Sequence, residues 1–141
     1  MATMNVEILT PEAALWTGTA SALMARSSEG EFTVLPEHTA TVGDVVPYVV
    51  RVQTTDEGEI AFAVHSGFFQ VGKGLEPDTT LATVLASVAE RTTEIDVPRA
   101  QAAKEAAEAR LASAKGENDN EELLAYAALQ RAELRLSAAS K

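Results

Sequence analysis

The chain has 141 residues, no cysteine and a formal net charge of −10 at pH 7. The lack of cysteine excludes a disulfide scaffold, a thiolate zinc site and cysteine catalysis. A surface this acidic repels a phosphate backbone, so we expect no nucleic-acid partner. No apolar run approaches the ~20 residues of a membrane span, and the first residues lack the pattern of a signal peptide. We therefore expect a soluble, intracellular protein that associates with a membrane only through a partner.

The first part of the chain is predicted to form β-structure. Apolar runs of strand length recur along it, separated by turn residues, at 5–8, 20–26, 31–35, 48–53, 60–64, 68–71 and 80–85. The clearest turn is Asp56-Glu57-Gly58, which lies between two of these runs and predicts a β-hairpin. Many short strands with a turn every ~8–12 residues are typical of an antiparallel sandwich or barrel.

The rest of the chain is predicted to form a helical hairpin. Asp96 is suited to cap the first helix, and Pro98 is tolerated in its first turn, where an N–H has no intrahelical partner. Strong helix formers fill 99–115 and 121–137, and residues 116–120 (GENDN) separate them. Two helices joined by about five residues pack antiparallel.

Charge and composition both indicate two domains, at 1–88 and 89–141. Residues 1–90 carry three basic side chains against twelve acidic ones, whereas residues 91–141 carry eight against nine. The apolar residues of the hairpin are mostly alanines, and each contributes far less than the ~1.5–3 kcal/mol of a buried leucine. We therefore expect the hairpin to be weakly held and able to open.

No catalytic constellation is visible in the sequence. The two histidines, His38 and His65, are too few and too widely spaced for a metal site. Gly72-Lys73-Gly74 lacks the full phosphate-loop pattern and no helix follows it, so it is predicted to be a surface turn. His38 follows a predicted strand and is either a solvated loop residue or part of a subunit contact. An enzyme active site within this chain is therefore not expected.

Three arginines are candidates for an anion site. Folding the hairpin about the centre of its loop brings Arg99 close to the level of Arg135, and Arg131 lies one turn before Arg135. Guanidinium groups bind phosphate oxygens bidentately. Asp96 and Glu90 could accept hydrogen bonds from a sugar or a base. The alternative is that all three are ordinary surface arginines.

Four motifs occur in a specific order and spacing. They are residues 30–38 (GEFTVLPEH), 66–71 (SGFFQV), 89–91 (AER) and 95–100 (IDVPRA). Each motif is weak alone, but together they resemble the epsilon subunit of bacterial F-type ATP synthase, and the resemblance covers the whole chain. Trp16-Thr17-Gly18 also stands where that family has an aromatic residue, a small residue and a glycine.

The resemblance implies an antiparallel ten-stranded β-sandwich followed by an antiparallel two-helix hairpin. It implies a non-catalytic subunit of the central rotor stalk, peripheral to the cytoplasmic face of the bacterial plasma membrane. Its partners would be the gamma subunit and the c-ring, and it would help to couple proton flow to ATP synthesis. In many members the hairpin extends toward the catalytic alpha and beta subunits and inhibits ATP hydrolysis.

The resemblance also implies two sets of site residues. ATP is a regulatory ligand in some members, where it favours the folded hairpin, and no cofactor is otherwise required. Carried over position by position, that ATP site would comprise Glu90, Ile95, Asp96, Arg99, Ala100, Arg131 and Arg135. Glu31 and His38 would lie at subunit contacts. No catalytic residue and no metal ligand is implied.

The sequence departs from the family in three places. Glycine is common where Glu37 and Ser66 stand, and the loop 73–79 is longer than usual. A second function remains open, that of a free β-sandwich adaptor module with a helical interaction arm. Co-purification with a membrane complex would distinguish the rotor subunit from the adaptor.

Overall fold

The computed structural model describes residues 3–74, 76, 78–114 and 119–139. The chain divides into two compact units, Met1–Arg91 and Thr92–Lys141. The first unit is built of strands and the second of helices. This arrangement confirms the predicted β-domain followed by a helical pair.

Nine strands form the described part of the first unit. Their bounds are β1 Met4–Leu9, β2 Ala14–Ser27, β3 Gly30–Val34, β4 Thr41–Val45, β5 Tyr48–Thr54, β6 Glu59–Val64, β7 Gly67–Lys73, β8 Thr80–Ala86 and β9 Ala89–Arg91. Hydrogen bonds join them in the order β4-β7-β8-β1-β2-β5-β6-β9, with β3 paired to β2 outside this path. Neighbouring strands are antiparallel except β1 and β8, which are parallel.

Strand β2 links the two layers of the unit. It pairs with β1 as far as Ala20, and beyond that point with β5 and β3. The register shifts between Ala20 and Ala22, and such an irregularity bends a strand. One strand of 14 residues therefore takes part in both layers. The described residues accordingly form nine strands where the resemblance implies ten.

The two layers enclose one hydrophobic core. Buried side chains alternate with less buried ones along β1 and β8, the pattern of strands with one face inward. The largest fully buried side chains are Phe62, Ile8 and Leu23, accompanied by six valines. Because burying one such side chain contributes about 1.5–3 kcal/mol, this unit holds the main core of the protein.

Two short edge strands are absent from the sequence prediction. Neither β4 (TVGDV) nor β9 (AER) has the apolar run that marks the other strands. Both lie at the ends of the strand path, where fewer neighbours require apolar contacts. Because β9 pairs with β6, the sandwich unit extends to Arg91, three residues beyond the predicted boundary at 88.

The second unit contains a short 3-10 turn, Thr92–Glu94, followed by α1, Val97–Ala114, and α2, Asp119–Ala139. Helix α1 begins at Val97, directly after the predicted cap Asp96, whereas α2 begins two residues before its predicted start at 121. Asp119 and Asn120 therefore belong to α2 and not to the predicted break, whose residues 116–118 lie outside the described ranges. Within the described part of the chain, neither helix has an apolar segment long enough to cross a bilayer.

Small side chains are buried where the two helices pack together. Buried alanines lie seven positions apart on each helix, at 100 and 107 and at 125 and 132. A spacing of seven keeps the same helix face inward over successive turns. These alanines bury little apolar area, so the packing contributes less stability than a leucine seam would.

Candidate functional site

One end of the sandwich carries Glu31, a predicted subunit contact. The Tyr48 hydroxyl donates a hydrogen bond to the Glu31 carboxylate, and the Arg26 guanidinium lies 5.6 Å from the centre of the Tyr48 ring. The bond to Glu31 is the main cause that raises the pKa of Tyr48 above its ordinary value, so the phenol stays protonated at neutral pH. Glu31 is thus held in place while it remains exposed.

The turn that leads to Glu31 is held by side-chain hydrogen bonds. The Ser28 backbone N–H and hydroxyl both donate to the Asp44 carboxylate, at 3.2 and 3.1 Å. Gly30 has a φ of 126°, in a region that side chains with a Cβ avoid. The turn therefore presents Glu29 and Glu31 as a fixed acidic surface, which suits a basic or polar partner segment.

His38, the second predicted contact residue, is half-buried beyond the other end of β3. Its backbone N–H donates to the Leu35 carbonyl at 3.0 Å, and its ring Nδ1 lies 2.8 Å from the Thr39 carbonyl, to which an Nδ1–H donates. Strand β3 separates His38 from Glu31, so the structure does not bring the two residues together. They belong to two separate candidate contacts.

The residue before His38 has a backbone conformation that favours glycine. Glu37 has a φ of 69°, in the left-handed region where glycine is the least strained residue. Its backbone N–H donates to the Thr80 hydroxyl at 2.9 Å, which helps to hold this conformation. The glycine that the resemblance implies at this position would therefore be less strained than Glu37.

An exposed apolar patch lies on the outer face of β4, β7 and β8. It consists of Val42, Phe68 and Leu85, which are 72%, 63% and 47% exposed. Phe68 lies directly opposite Leu85, and Val42 lies opposite Gln70, on the same face as Phe68. The sequence does not predict this outer patch, because Phe68 and Leu85 belong to apolar runs that predict core strands, and Val42 lies on β4, which has no such run.

The residues implied for an ATP site are divided between the two units. Glu90 is half-buried in the sandwich unit, where it lies opposite Ala63 on β6. The other six residues belong to the helical unit, in which Ile95 and Ala100 are buried. The side chains of Ile95 and Ala100 therefore pack against the protein. Polar contacts to a nucleotide would come from the charged residues of this set.

Asp96 caps the first helix, as the sequence predicts. Its Oδ1 accepts a hydrogen bond from the Arg99 backbone N–H at 3.1 Å, and its carbonyl accepts one from the Ala100 N–H at 2.9 Å. A cap of this kind contributes about 1 kcal/mol. One carboxylate oxygen of Asp96 is thus already used to cap the helix.

One ion pair bears on the register of the two helices. Arg110 on α1 lies 3.7 Å from Glu121 on α2, which places these positions near one level. Position 99 is eleven residues before 110, and position 132 is eleven residues after 121, so these two come level in an antiparallel pair. Counted along both helices from this ion pair, Arg99 comes close to the level of Arg131, with Arg135 one turn beyond. The predicted register places Arg99 nearer to Arg135.

The sequence matches a known family along almost its whole length. Residues 3–92 match the domain described as ATP synthase, Delta/Epsilon chain, beta-sandwich domain, and residues 93–140 match the long alpha-helix domain of the same chain. The chain belongs to the ATP synthase delta/epsilon chain family. Membership confirms the resemblance to an epsilon subunit. It also confirms the prediction of a non-catalytic subunit, because its relatives are named as epsilon chains.

Relatives and solved structures agree with this family and with the fold. The ATP synthase epsilon chain of Brevibacillus brevis is 38% identical over 84% of this chain and 86% of its own length. That of Laribacter hongkongensis is 39% identical over 98% and 94%. A chain in the Euglena gracilis mitochondrial ATP synthase (OSCP/F1/c-ring) matches with a TM-score of 0.79 at 22% identity, covering all of this chain and 83% of that one. The last match shows a common fold.

Proposed function

We propose that this epsilon chain is a subunit of the central rotor stalk of an F-type ATP synthase, at the cytoplasmic face of a bacterial plasma membrane. There it binds the gamma subunit and the c-ring and helps to couple proton flow to ATP synthesis. The observation that carries this proposal is the outer patch. Large apolar side chains exposed together on a regular strand surface mark a protein-binding face.

The gamma subunit is the proposed occupant of the outer patch. Phe68 supplies an aromatic anchor of the type enriched in interface centres, and Val42 and Leu85 flank it. Phe68 and Leu85 lie opposite each other on the paired strands β7 and β8. Binding therefore costs little additional backbone conformational entropy. This rigidity suits a permanent stalk contact.

The c-ring is the proposed partner of the acidic turn at Glu31. The hydrogen bonds of Ser28 to Asp44 and of Tyr48 to Glu31 fix the shape of this end before binding. Charged residues at the edge of an interface affect the association rate and the choice of partner more than they affect the affinity. His38, beyond the other end of β3, is proposed to lie at a second contact of the rotor.

The helical unit is the proposed regulatory element. Its buried alanines hold the two helices with little apolar area, so opening costs less than in a leucine-rich pair. Leu123, Leu124 and Tyr126 are more than half exposed on α2 and are available to a partner. We propose that the opened helices reach the catalytic alpha and beta subunits and inhibit ATP hydrolysis.

ATP is proposed to stabilise the closed helices by bridging arginines of α1 and α2. The ion pair of Arg110 with Glu121 supports this proposal, because counting from it along both helices brings Arg99 near the level of Arg131, with Arg135 one turn away. Phosphates neutralise these like charges and so favour the closed form over the open one. Asp96, in the same unit as these arginines, is the proposed acceptor for the sugar or the base.

Replacing Arg131 with alanine is expected to weaken ATP binding by about 1.5–3 kcal/mol, the contribution of a hydrogen bond to a charged group. Calorimetric titration of the full chain with ATP measures this. Arg110→Ala is the matched control, because it removes one arginine near the other end of the helices, where Arg110 pairs with Glu121. Equal affinity in the Arg131→Ala variant and the wild type would place the nucleotide elsewhere.

Co-purification tests the rotor proposal against the adaptor alternative. A tagged chain is expected to recover gamma, the c-ring and the catalytic subunits from detergent-solubilised bacterial membranes. A free adaptor module would leave these subunits in the unbound fraction. The same preparation shows whether the chain is associated with the membrane only through the complex, because washing away the complex should release it.

A further inference from the structure

Glu57 connects three parts of the sandwich unit that are far apart in sequence. Its Oε2 accepts a hydrogen bond from the Trp16 indole N–H at 2.9 Å, and its Oε1 accepts one from the Arg91 guanidinium at 3.0 Å. Trp16 lies on β2, Glu57 lies in the turn between β5 and β6, and Arg91 is the last residue of β9. A single carboxylate thus ties the end of β9 to two other elements.

Both the carboxylate and the indole are held in place by their own surroundings. The Glu57 backbone N–H donates to the Thr54 hydroxyl at 2.8 Å, and Gly58 supplies the left-handed φ of 73° that closes the turn. The Trp16 ring lies over Gly18 so closely that a Cβ there would come within 2.6 Å of it. Glu57 and Trp16 therefore form a fixed receptor for the Arg91 side chain.

Strand β9 needs such support. It has three residues, pairs on one side with β6, and lies at the end of the strand path. Short edge strands open locally at low free energy. The hydrogen bond from Trp16, and then that from Arg91, keep the pKa of Glu57 below its ordinary value. The carboxylate is therefore ionised at neutral pH and able to pair with Arg91.

We propose that Glu57 is an anchor that fixes the C-terminal end of β9 and so limits the motion of the segment leading into the helical unit. Thr92, the first residue of that unit, follows Arg91 directly. One consequence rests on the proposed function. If the helical unit opens to inhibit ATP hydrolysis, its movement begins directly after the residue that Glu57 holds. The anchor itself depends only on contacts within the sandwich unit.

The test uses the full chain with a nitroxide label at Thr93→Cys, which is specific because the chain has no other cysteine. Glu57→Gln removes the charge that holds Arg91 but keeps a carbonyl acceptor for Trp16. The label is expected to move more freely in this variant. Amides of Ala89–Arg91 are expected to exchange about two- to fivefold faster, the scale of losing one exposed ion pair. Fluorescence of Trp16, the single tryptophan, should stay unchanged.

Glu59→Gln is the matched control. It removes a carboxylate from the same β5–β6 hairpin, where Glu59 lies 3.4 Å from Arg51 and makes no contact with Arg91. Arg91→Gln removes the other partner of the ion pair, and it replaces Glu57→Gln in the experiment if that variant fails to fold. Equal label mobility and exchange in the anchor variants and the control would overturn the anchor. Because the isolated chain is measured, that result would leave the rotor proposal standing.

Discussion

Replacing Gly67 with alanine is expected to destabilise the sandwich unit by about 3 kcal/mol, near the upper end of the usual overpacking cost. A Cβ at this position would lie 2.0 Å from the backbone carbonyl oxygen of Leu85 and 2.9 Å from the Cα of Ala86. These are backbone atoms of the paired strand β8, so no side-chain rotation relieves the clash. Strands β7 and β8 would have to move apart at the point where Gly67 pairs with Ala86.

Thermal unfolding of the full chain measures this effect. For a domain of this size, each kcal/mol corresponds to about 4–8 °C, so the melting temperature should fall by roughly 12–24 °C. Gly72→Ala is the matched control, because Gly72 lies on the same strand and a Cβ there meets nothing within 4 Å. The control should unfold close to the wild type. Equal melting temperatures for the two variants would contradict the close approach at Gly67.

Replacing Phe68 with aspartate is expected to weaken binding to the gamma subunit by about 2 kcal/mol or more, the scale of an interface hot spot and roughly a thirtyfold loss of affinity. Phe68 is 63% exposed, so the free chain loses little packing. A charge at the centre of the outer patch would instead be buried without a partner on binding. Titration of the isolated gamma subunit with wild type and variant measures the difference.

Leu35→Asp is the control for the outer patch. Leu35 is also more than half exposed, but it follows β3 and lies outside the three strands of the patch. It should bind gamma like the wild type. Both variants should retain the wild-type melting temperature, which separates a binding defect from a folding defect. If Phe68→Asp bound as well as Leu35→Asp, gamma would bind another face of the chain.

The features that sequence predicted well are those that depend on near neighbours along the chain. The β5–β6 hairpin follows from two apolar runs around Asp56-Glu57-Gly58, because such a turn matches the twist of paired strands. The start of α1 follows from Asp96, whose side chain reaches an N–H only three residues away. The motifs that carry the family resemblance are likewise continuous segments.

The candidate sites were predicted only in part, because they join distant segments. Glu31 and His38 belong to one continuous motif, and the strand between them is predicted from the sequence, but the hydrogen bond that holds Glu31 comes from Tyr48, 17 positions away. The proposed approach of Arg99 to Arg131 depends on the helix register, for which the ion pair between Arg110 and Glu121 is the support. No local pattern predicts that Glu57 meets Arg91, since the two are 34 positions apart.

Alternation, turn residues and helix propensity act locally, so they predict a strand-rich unit followed by a pair of alanine-rich helices. Which side of each strand faces solvent depends instead on long-range strand pairing. Phe68 and Phe69 are adjacent and equally apolar, yet Phe69 is buried beside Phe32, with ring centres 4.4 Å apart, and Phe68 is exposed. Successive side chains of a strand point to opposite faces, and the pairing of β7 with β4 and β8 fixes which face meets the core.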